Sequence, residues 1–417
     1  RLAAPALETF EAHLKGTGDR DISTTMALVR MIAALTRDPE LGARIVPIVA
    51  DEARTFGMDG LFRQLGIYAS QGQLYEPVDS HQVMYYREDK KGQILQEGIT
   101  EAGAASSWIA AGTSYSNHGL PLVPFYLFYS MFGFQRVGDL FWAAGDSRAR
   151  GFLIGGTAGR TTLAGEGLQH QDGHSVVFAS AVPNCVTYDP AFAGELAVVV
   201  RDGLRRMLEA QDDVYFYVTV ANENYAHPPL PAGAEEGVLR GLYLFREGER
   251  EGPRVQLVGG GTILREVIAA AELLHEDFGV AADVWSATSF SELAREGMEA
   301  ERWTLLHPEE PRRASYVEQC FATRPPGPVV AATDWIRAWP EQIRPFLPRR
   351  YHTLGTNGYG RSDLRSKLRE FFEVSRHFVV LAALQSLADE GLVDRRRVRE
   401  ARDKYGVDPD RPNPRTV

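Results

Sequence analysis

Apolar positions in this chain follow two alternating rhythms. Short, nearly continuous apolar runs such as RIVPIVADE (44–52), LPLVPFYLFYS (120–130) and VYFYVTVANE (214–223) have the length and β-branched or aromatic bias of buried strands. Between them lie stretches with apolar residues spaced three and four apart. DISTTMALVRMIAALTRD (21–38) is one, with Ser23 placed to cap the helix. MFGFQRVGDLFWAAGD (131–146) and AFAGELAVVVRDGLRRMLEA (191–210) are others, and TFGMDGLFRQLGIY (55–68) predicts a short turn or helix. SVVFASAVPNCVTYDP (175–190) predicts a strand and a turn. This alternation predicts a doubly wound α/β domain over 1–245.

The stretch REGEREGPR (246–254) breaks the pattern with charge and Gly–Pro, and predicts a linker. The rhythm then resumes over 255–417. VQLVGGGTILREVIAAAELL (255–274), ADVWSATSFSELAREG (282–297) and GPVVAATDWIRAWPEQI (327–343) each predict a strand followed by a helix. Two helical stretches, 363–391 and 395–406, close the chain. A second, smaller α/β domain is expected there.

Composition narrows the class. A hydrophobic share of 44% with 24% charged residues is that of a globular protein. The net charge of −10 argues against nucleic acid or an anionic membrane as the main partner. The longest apolar run, at 123–134, is shorter than the ~20 residues that span a bilayer. Two cysteines, Cys185 and Cys320, exclude a disulfide framework and suit a reducing cytoplasm; neither carries a local nucleophile signature, and both are expected as small buried hydrophobes.

Several patterns raise candidate chemistry. The triple glycine 259–261 sits between a strand and a helix, where a phosphate can bind. It lacks the full G-x-G-x-x-G spacing, and a tight turn is the better reading. His170 and His174 have a zinc-compatible spacing, but glycines at 165, 167 and 173 break any helix between them. A hydrogen-bonding or acid/base histidine fits better, and no metal site is expected in this chain. The Gly- and Thr-rich stretch 150–167 is expected to form an ordered loop lining a cleft. Tyr126, Phe128, Tyr129, Phe132 and Phe134 crowd one strand and the next helix; singly they predict core, and as a group they suit stacking on a flat ring. Glu97 and Glu101 lead into small residues on a helix expected from about 97 to 112.

GITEAGAASSW (98–108), VPFYLFYSMFGFQRVGDL (123–140), ARGFLIGGTAGRTTLAGEGLQHQDGHS (149–175), ANENYAHPPLP (221–231) and LGTNGYGRSDLRSKLREFFEVSRHFVV (354–380) together resemble the homodimeric pyruvate dehydrogenase component of the 2-oxo acid dehydrogenase complexes. The resemblance implies a thiamine diphosphate enzyme with three α/β domains. This chain matches the pyrimidine-binding domain and the transketolase-like C-terminal domain. The family's G-D-G with a following Asn, which holds the diphosphate and Mg²⁺, has no counterpart here, and the chain begins at Arg1 rather than Met. The chain is therefore expected to be a C-terminal portion, inactive by itself.

The resemblance also implies residue roles. Glu101 would hydrogen-bond a pyrimidine ring nitrogen and promote its imino tautomer; a carboxylate in a dry pocket, its pKa raised, can share a proton with a weakly basic ring. Phe132 would stack on the pyrimidine. Tyr129 and His170 would face the substrate and hold its carboxylate or the negative charge that develops. Arg136 would be a basic member of an acidic tunnel joining the two sites of a dimer. Asp51 and Glu52 would lie close to the cofactor. Implied partners are a second copy, pyruvate and the dihydrolipoyl acetyltransferase component, in the cytoplasm. The alternatives are another thiamine enzyme, such as a transketolase or a different 2-oxo acid decarboxylase, and a non-catalytic assembly module of the complex.

Overall fold

In the computed structural model the structure describes residues 2–50, 53–78, 86–249 and 251–417. Contacts divide the chain into two compact units. The first comprises Arg1–Ala158, Phe178–Tyr188 and Phe192–Pro229; the second comprises Gly159–Val177, Asp189–Ala191 and Leu230–Val417.

The first unit is built on a six-stranded parallel sheet. Its strands are β1 (Ile45–Val49), β2 (Leu95–Gln96), β3 (Val123–Tyr129), β4 (Phe152–Gly156), β5 (Cys185–Tyr188) and β6 (Tyr215–Thr219), in the order β2-β1-β3-β4-β6-β5. Strands of a parallel sheet are covered on both faces, so near-continuous apolar runs are what β3 and β6 require. Helices α1 (Thr24–Leu35), α2 (Glu101–Gly112), α3 (Phe134–Asp146) and α4 (Ala193–Leu204) accompany it. Ser23 caps α1 as its position implies, its hydroxyl accepting the Met26 N–H at 3.0 Å. An aromatic core joins helix to sheet: Phe125 and Phe152 stack at 4.5 Å, and Trp108 meets Tyr215 edge-on at 5.4 Å.

Two local expectations are overturned. Helix α2 begins at Glu101, not near 97, because the Thr100 hydroxyl accepts the Gly103 N–H at 3.1 Å. Residues 175–180, expected as strand, are helical: Asp172 Oδ1 accepts the N–H groups of His174 and Ser175, and this side-chain cap starts a helix despite the β-branched pair Val176–Val177.

The second unit carries a five-stranded sheet of β7 (Leu242–Arg246), β8 (Arg254–Gly259), β9 (Ala281–Ala287), β10 (Val329–Ala332) and β11 (Tyr351–Leu354), in the order β7-β9-β8-β10-β11. Only β7, at the edge, is antiparallel to its neighbour. The charged stretch expected as a linker thus joins two strands of this one sheet, and the last of the chain's changeovers between units falls at Pro229–Leu230. Helices α5 (Leu264–Phe278), α6 (Phe290–Leu306), α7 (Arg365–Phe371), α8 (Arg376–Asp389) and α9 (Arg396–Lys404) belong to this unit. After β10, where a helix is expected, a 3₁₀ stretch (Pro340–Phe346) with an internal proline stands instead. Among the described residues no helix is long and apolar enough to cross a membrane.

One buried titratable group in the first unit makes stability depend on pH. His13 is 9% exposed, and burial, helped by Arg30 and His227, lowers its pKa from 6.5 to about 4. The unfolded chain therefore takes up this proton first as pH falls, and stability declines from pH 6.5 toward 4. The urea midpoint of this unit is expected to drop between pH 7 and pH 5, and His13→Gln to flatten that drop; an unchanged slope in the variant would exclude His13 as its source.

Candidate active site

Open α/β sheets bind ligands beyond the carboxyl ends of their strands. In the first unit the ends of β2 and β3 lead to Glu101 and to Tyr129–Phe132. Glu101 is the first residue of α2, where the helix dipole stabilises a negative charge by ~0.3–1 kcal/mol. The buried face of α2 packs closely: Trp108 Nε1 donates to the Phe152 carbonyl at 3.1 Å, and a Cβ on Gly112 would meet the Arg150 carbonyl oxygen at 2.7 Å. Ala104 and Ala105 are fully buried, whereas Ala102, Ser106 and Ala110 face outward. The small residues thus serve helix–sheet packing at their buried positions.

The aromatic group divides cleanly. Tyr126, Phe128 and Phe134 are core; Tyr129 and Phe132 are half-buried and available as a surface. Phe132 meets Tyr129 edge-on at 5.8 Å, and Tyr129 meets Phe56 at 5.4 Å. The Tyr129 hydroxyl reaches the Thr55 hydroxyl at 3.4 Å. Arg136 ties this surface to the acid. Its guanidinium carbon lies 3.8 Å from the centre of the Phe132 ring, while its Nη1 sits 3.2 Å from Glu101 Oε1. Acid, cation and ring therefore form one contiguous cluster, with the Glu101 side chain 17% exposed.

Tyr126 is a member that sequence reasoning placed only in the aromatic crowd. Its hydroxyl donates to the Glu101 carbonyl at 3.4 Å. Burial, together with Glu101 and Glu97, pushes its phenol pKa far up, so it stays a donor at every working pH. β3 is buried at every position from 123 to 128, so its apolar run carried no signal that distinguishes residue 126. Glu97 lies outside the helix, accepts the Ser107 hydroxyl at 2.5 Å and donates its N–H to the Val49 carbonyl, so it does not share a helix face with Glu101. Asp51 and Glu52 lie outside the described residues.

His170 belongs to the second unit, at the end of a 3₁₀ turn (Leu168–His170), and is half-buried. Segment 159–177 is held in that unit by Asp334. This carboxylate accepts the Thr161 N–H at 2.8 Å and the Thr162 hydroxyl at 2.6 Å. The Ile336 N–H donates to the Gly173 carbonyl at 2.7 Å. His174 is not placed for a metal: the guanidinium of Arg160 stands where a cation would approach, its Nη2 3.5 Å from the His174 Nδ1. Among the described residues no group of three or more His, Cys, Asp or Glu is arranged to hold a metal ion. The triple glycine is a tight turn. Gly261 has φ +52°, and the Asp189 carboxylate fills the space where its Cβ would lie, setting a negative charge against any phosphate there. Cys185 is fully buried; Cys320 is partly so.

The family described as "Pyruvate dehydrogenase E1 component middle domain" matches residues 3–228. The chain belongs to the pyruvate dehydrogenase E1 component family. Residues 241–375 match the transketolase-like C-terminal domain. Relatives named pyruvate dehydrogenase E1 component include those of Pseudomonas aeruginosa, 64% identical over 98% of this chain, Cupriavidus necator, 60% over 100%, and Escherichia coli K12, 54% over 100%. The alignment takes in 47% of each of these three, so the chain spans about half the length of the E1 components it matches. Among solved structures, transketolase from Leishmania mexicana aligns with a TM-score of 0.66 at 17% identity, covering 91% of this chain and 47% of that one. Campylobacter jejuni transketolase aligns at 0.63 and 16%, covering 90% and 49%. At such identities the likeness establishes the transketolase-type α/β fold; the α/β class is the one expected from the alternating strand and helix pattern, and the transketolase-like C-terminal domain the one implied by the family resemblance.

Proposed function

We propose that this chain supplies the pyrimidine side of a thiamine diphosphate site in a pyruvate dehydrogenase (acetyl-transferring), which decarboxylates pyruvate oxidatively and passes the acetyl group to a lipoyl group of the acetyltransferase component. The observation that carries this reading is the cluster of Glu101, Arg136 and Phe132 at the carboxyl edge of the first sheet. Its chemistry fits half of the cofactor: an acid at a helix N-terminus beside a half-buried ring suits a flat, weakly basic heterocycle. Thiamine diphosphate, when bound, supplies the stabilised carbanion chemistry that side chains lack. The chain's own groups then have defined tasks. The Phe132 face positions the flat ring. Glu101 Oε1 accepts and returns the proton at the ring nitrogen. Arg136 counters the charge of Glu101 and fixes its direction. Tyr129 presents its hydroxyl toward the substrate. His170 takes its substrate role from the family resemblance alone.

The diphosphate and Mg²⁺ would be held by the part of the enzyme that this chain does not span, contributed in a dimer by a second copy. We assign the assembled enzyme to the cytoplasm, because this chain carries only two cysteines, too few for a disulfide framework.

The test is turnover by the full-length enzyme with pyruvate and lipoyl acceptor, against other 2-oxo acids and a ketose phosphate. Pyruvate is expected to be preferred by at least tenfold in kcat/KM, and the present chain alone to show no turnover. Equal use of the ketose phosphate, or full activity from this chain alone, would sink the reading.

A further inference from the structure

A second site stands in the second unit, independent of the catalytic reading. Helices α8 and α9, the edge strand β11 and the chain after α9 line an open cleft of about 660 Å³. That is the volume of a pocket for a small organic ligand, typically ~300–1,000 Å³. Two helix faces form its walls. Phe378, Leu381, Ala382 and Gln385 recur at the i, i+3, i+4, i+7 spacing of one face of α8. Arg395, Val398, Arg399 and Arg402 repeat the same spacing along α9. One wall is thus apolar and the other basic, with the carboxylates of Glu373 and Asp408 also on the lining, on a chain whose net charge is −10.

The arginines are not equivalent. Arg411 is committed: its Nη2 donates to the Glu370 carbonyl at 2.7 Å, its Nε faces Glu373 at 3.3 Å, and its guanidinium carbon lies 4.9 Å from the centre of the Phe378 ring. It buttresses the apolar wall. Arg395 pairs with Asp389 at 3.1 Å, and Arg402 with its neighbour Asp403 at 2.7 Å. Arg399 forms no ion pair or hydrogen bond among the described residues; it is exposed, feels Asp394 only through space, and lines the same cleft as the half-buried Phe378 and Leu381. An unpaired guanidinium facing apolar surface binds an anion most strongly when that anion brings its own apolar body, because each half of the ligand then meets its complement.

We propose that this cleft binds an amphipathic organic anion, with its phosphate, sulfonate or carboxylate on Arg399 and its apolar body against Phe378, Leu381 and Val398. Charge and volume allow two sources, a soluble nucleotide and a fatty acid, which share this chemistry. The test titrates the full-length protein with the aromatic sulfonate 1-anilinonaphthalene-8-sulfonate by calorimetry. One molecule per chain is expected to bind, with a Kd at least tenfold weaker in Arg399→Glu. Arg396→Glu is the control: Arg396 lies on the same helix, outside the cleft, paired with Asp394 at 2.9 Å and 72% exposed. It carries the same charge change and is expected to bind as wild type. Displacement by ADP and not by myristate would assign the nucleotide source; displacement by myristate and not by ADP would assign the lipid source. Absence of saturable binding, equal weakening in both variants, wild-type affinity in Arg399→Glu, or displacement by neither compound overturns the proposal.

Discussion

Glu101→Gln in the full-length enzyme is expected to lower kcat for pyruvate decarboxylation by roughly 10²–10⁴-fold, the range that one positioned acid/base group supplies. Glutamine keeps the shape and a hydrogen-bonding oxygen but cannot exchange a proton with a ring nitrogen. It also removes the charge that Arg136 faces at 3.2 Å. The loss should not come from unfolding. Half-exposed ion pairs contribute only ~0–1 kcal/mol, with Arg136 51% exposed, and the Thr100 cap of α2 is untouched. Activity and the urea midpoint are therefore expected to separate. Near-normal decarboxylation by the variant would remove Glu101 from the mechanism, and a loss matched by a collapsed midpoint would make it structural.

The second large effect is on stability. Asp334 is 2% exposed, and burial raises its pKa against the opposing pull of the Thr162 hydroxyl, Arg369 and Thr161. Asp334→Ala strips the partner from the Thr161 N–H and the Thr162 hydroxyl and leaves the buried Arg369 facing less negative charge. Each buried polar group left unsatisfied costs about 1–3 kcal/mol, so the two together cost about 2–6 kcal/mol. The second unit is expected to lose that much in urea denaturation, with segment 159–177 becoming the first site of proteolytic cleavage. Asp334→Asn retains an acceptor for the Thr161 N–H. Its amide can donate to the Thr162 oxygen, whose hydroxyl then turns to Thr262, 2.6 Å away. A loss near 1 kcal/mol is expected for it, the size of one perturbed hydrogen bond. If Asn proves as damaging as Ala, the hydrogen-bond account of this anchor fails.

Where local sequence and structure part, a side chain decides. The Val176–Val177 pair predicts strand by shape, yet Asp172 caps the backbone at 174 and 175 and makes a helix. Glu97 and Glu101 look like neighbours on a helix until Thr100 caps at 101. In both cases the capping residue precedes the element, where a periodicity argument does not look.

The local rhythm of apolar positions determined the α/β class of both units, strands β1, β3, β6, β8, β9 and β10, most of the helices and the cap at Ser23, because burial on both faces leaves a continuous apolar run in the strand itself; β4, inside the stretch expected as a loop, and the short or edge strands β2, β7 and β11 carried no such run. The family resemblance, carried by motifs in the chain, named Glu101 and Phe132 as cofactor-facing residues. Only the tertiary structure decided that Arg136 bridges them, that Tyr126 supports Glu101 from the core, and that Asp334 gathers residues 159–177 into the second unit. The physical reason is sequence separation. Glu101 and Arg136 stand 35 positions apart, and Thr161 and Asp334 stand 173 apart. An ion pair or a buried hydrogen bond across such a gap leaves no period in the chain. It exists only once the strands between its partners have been laid side by side.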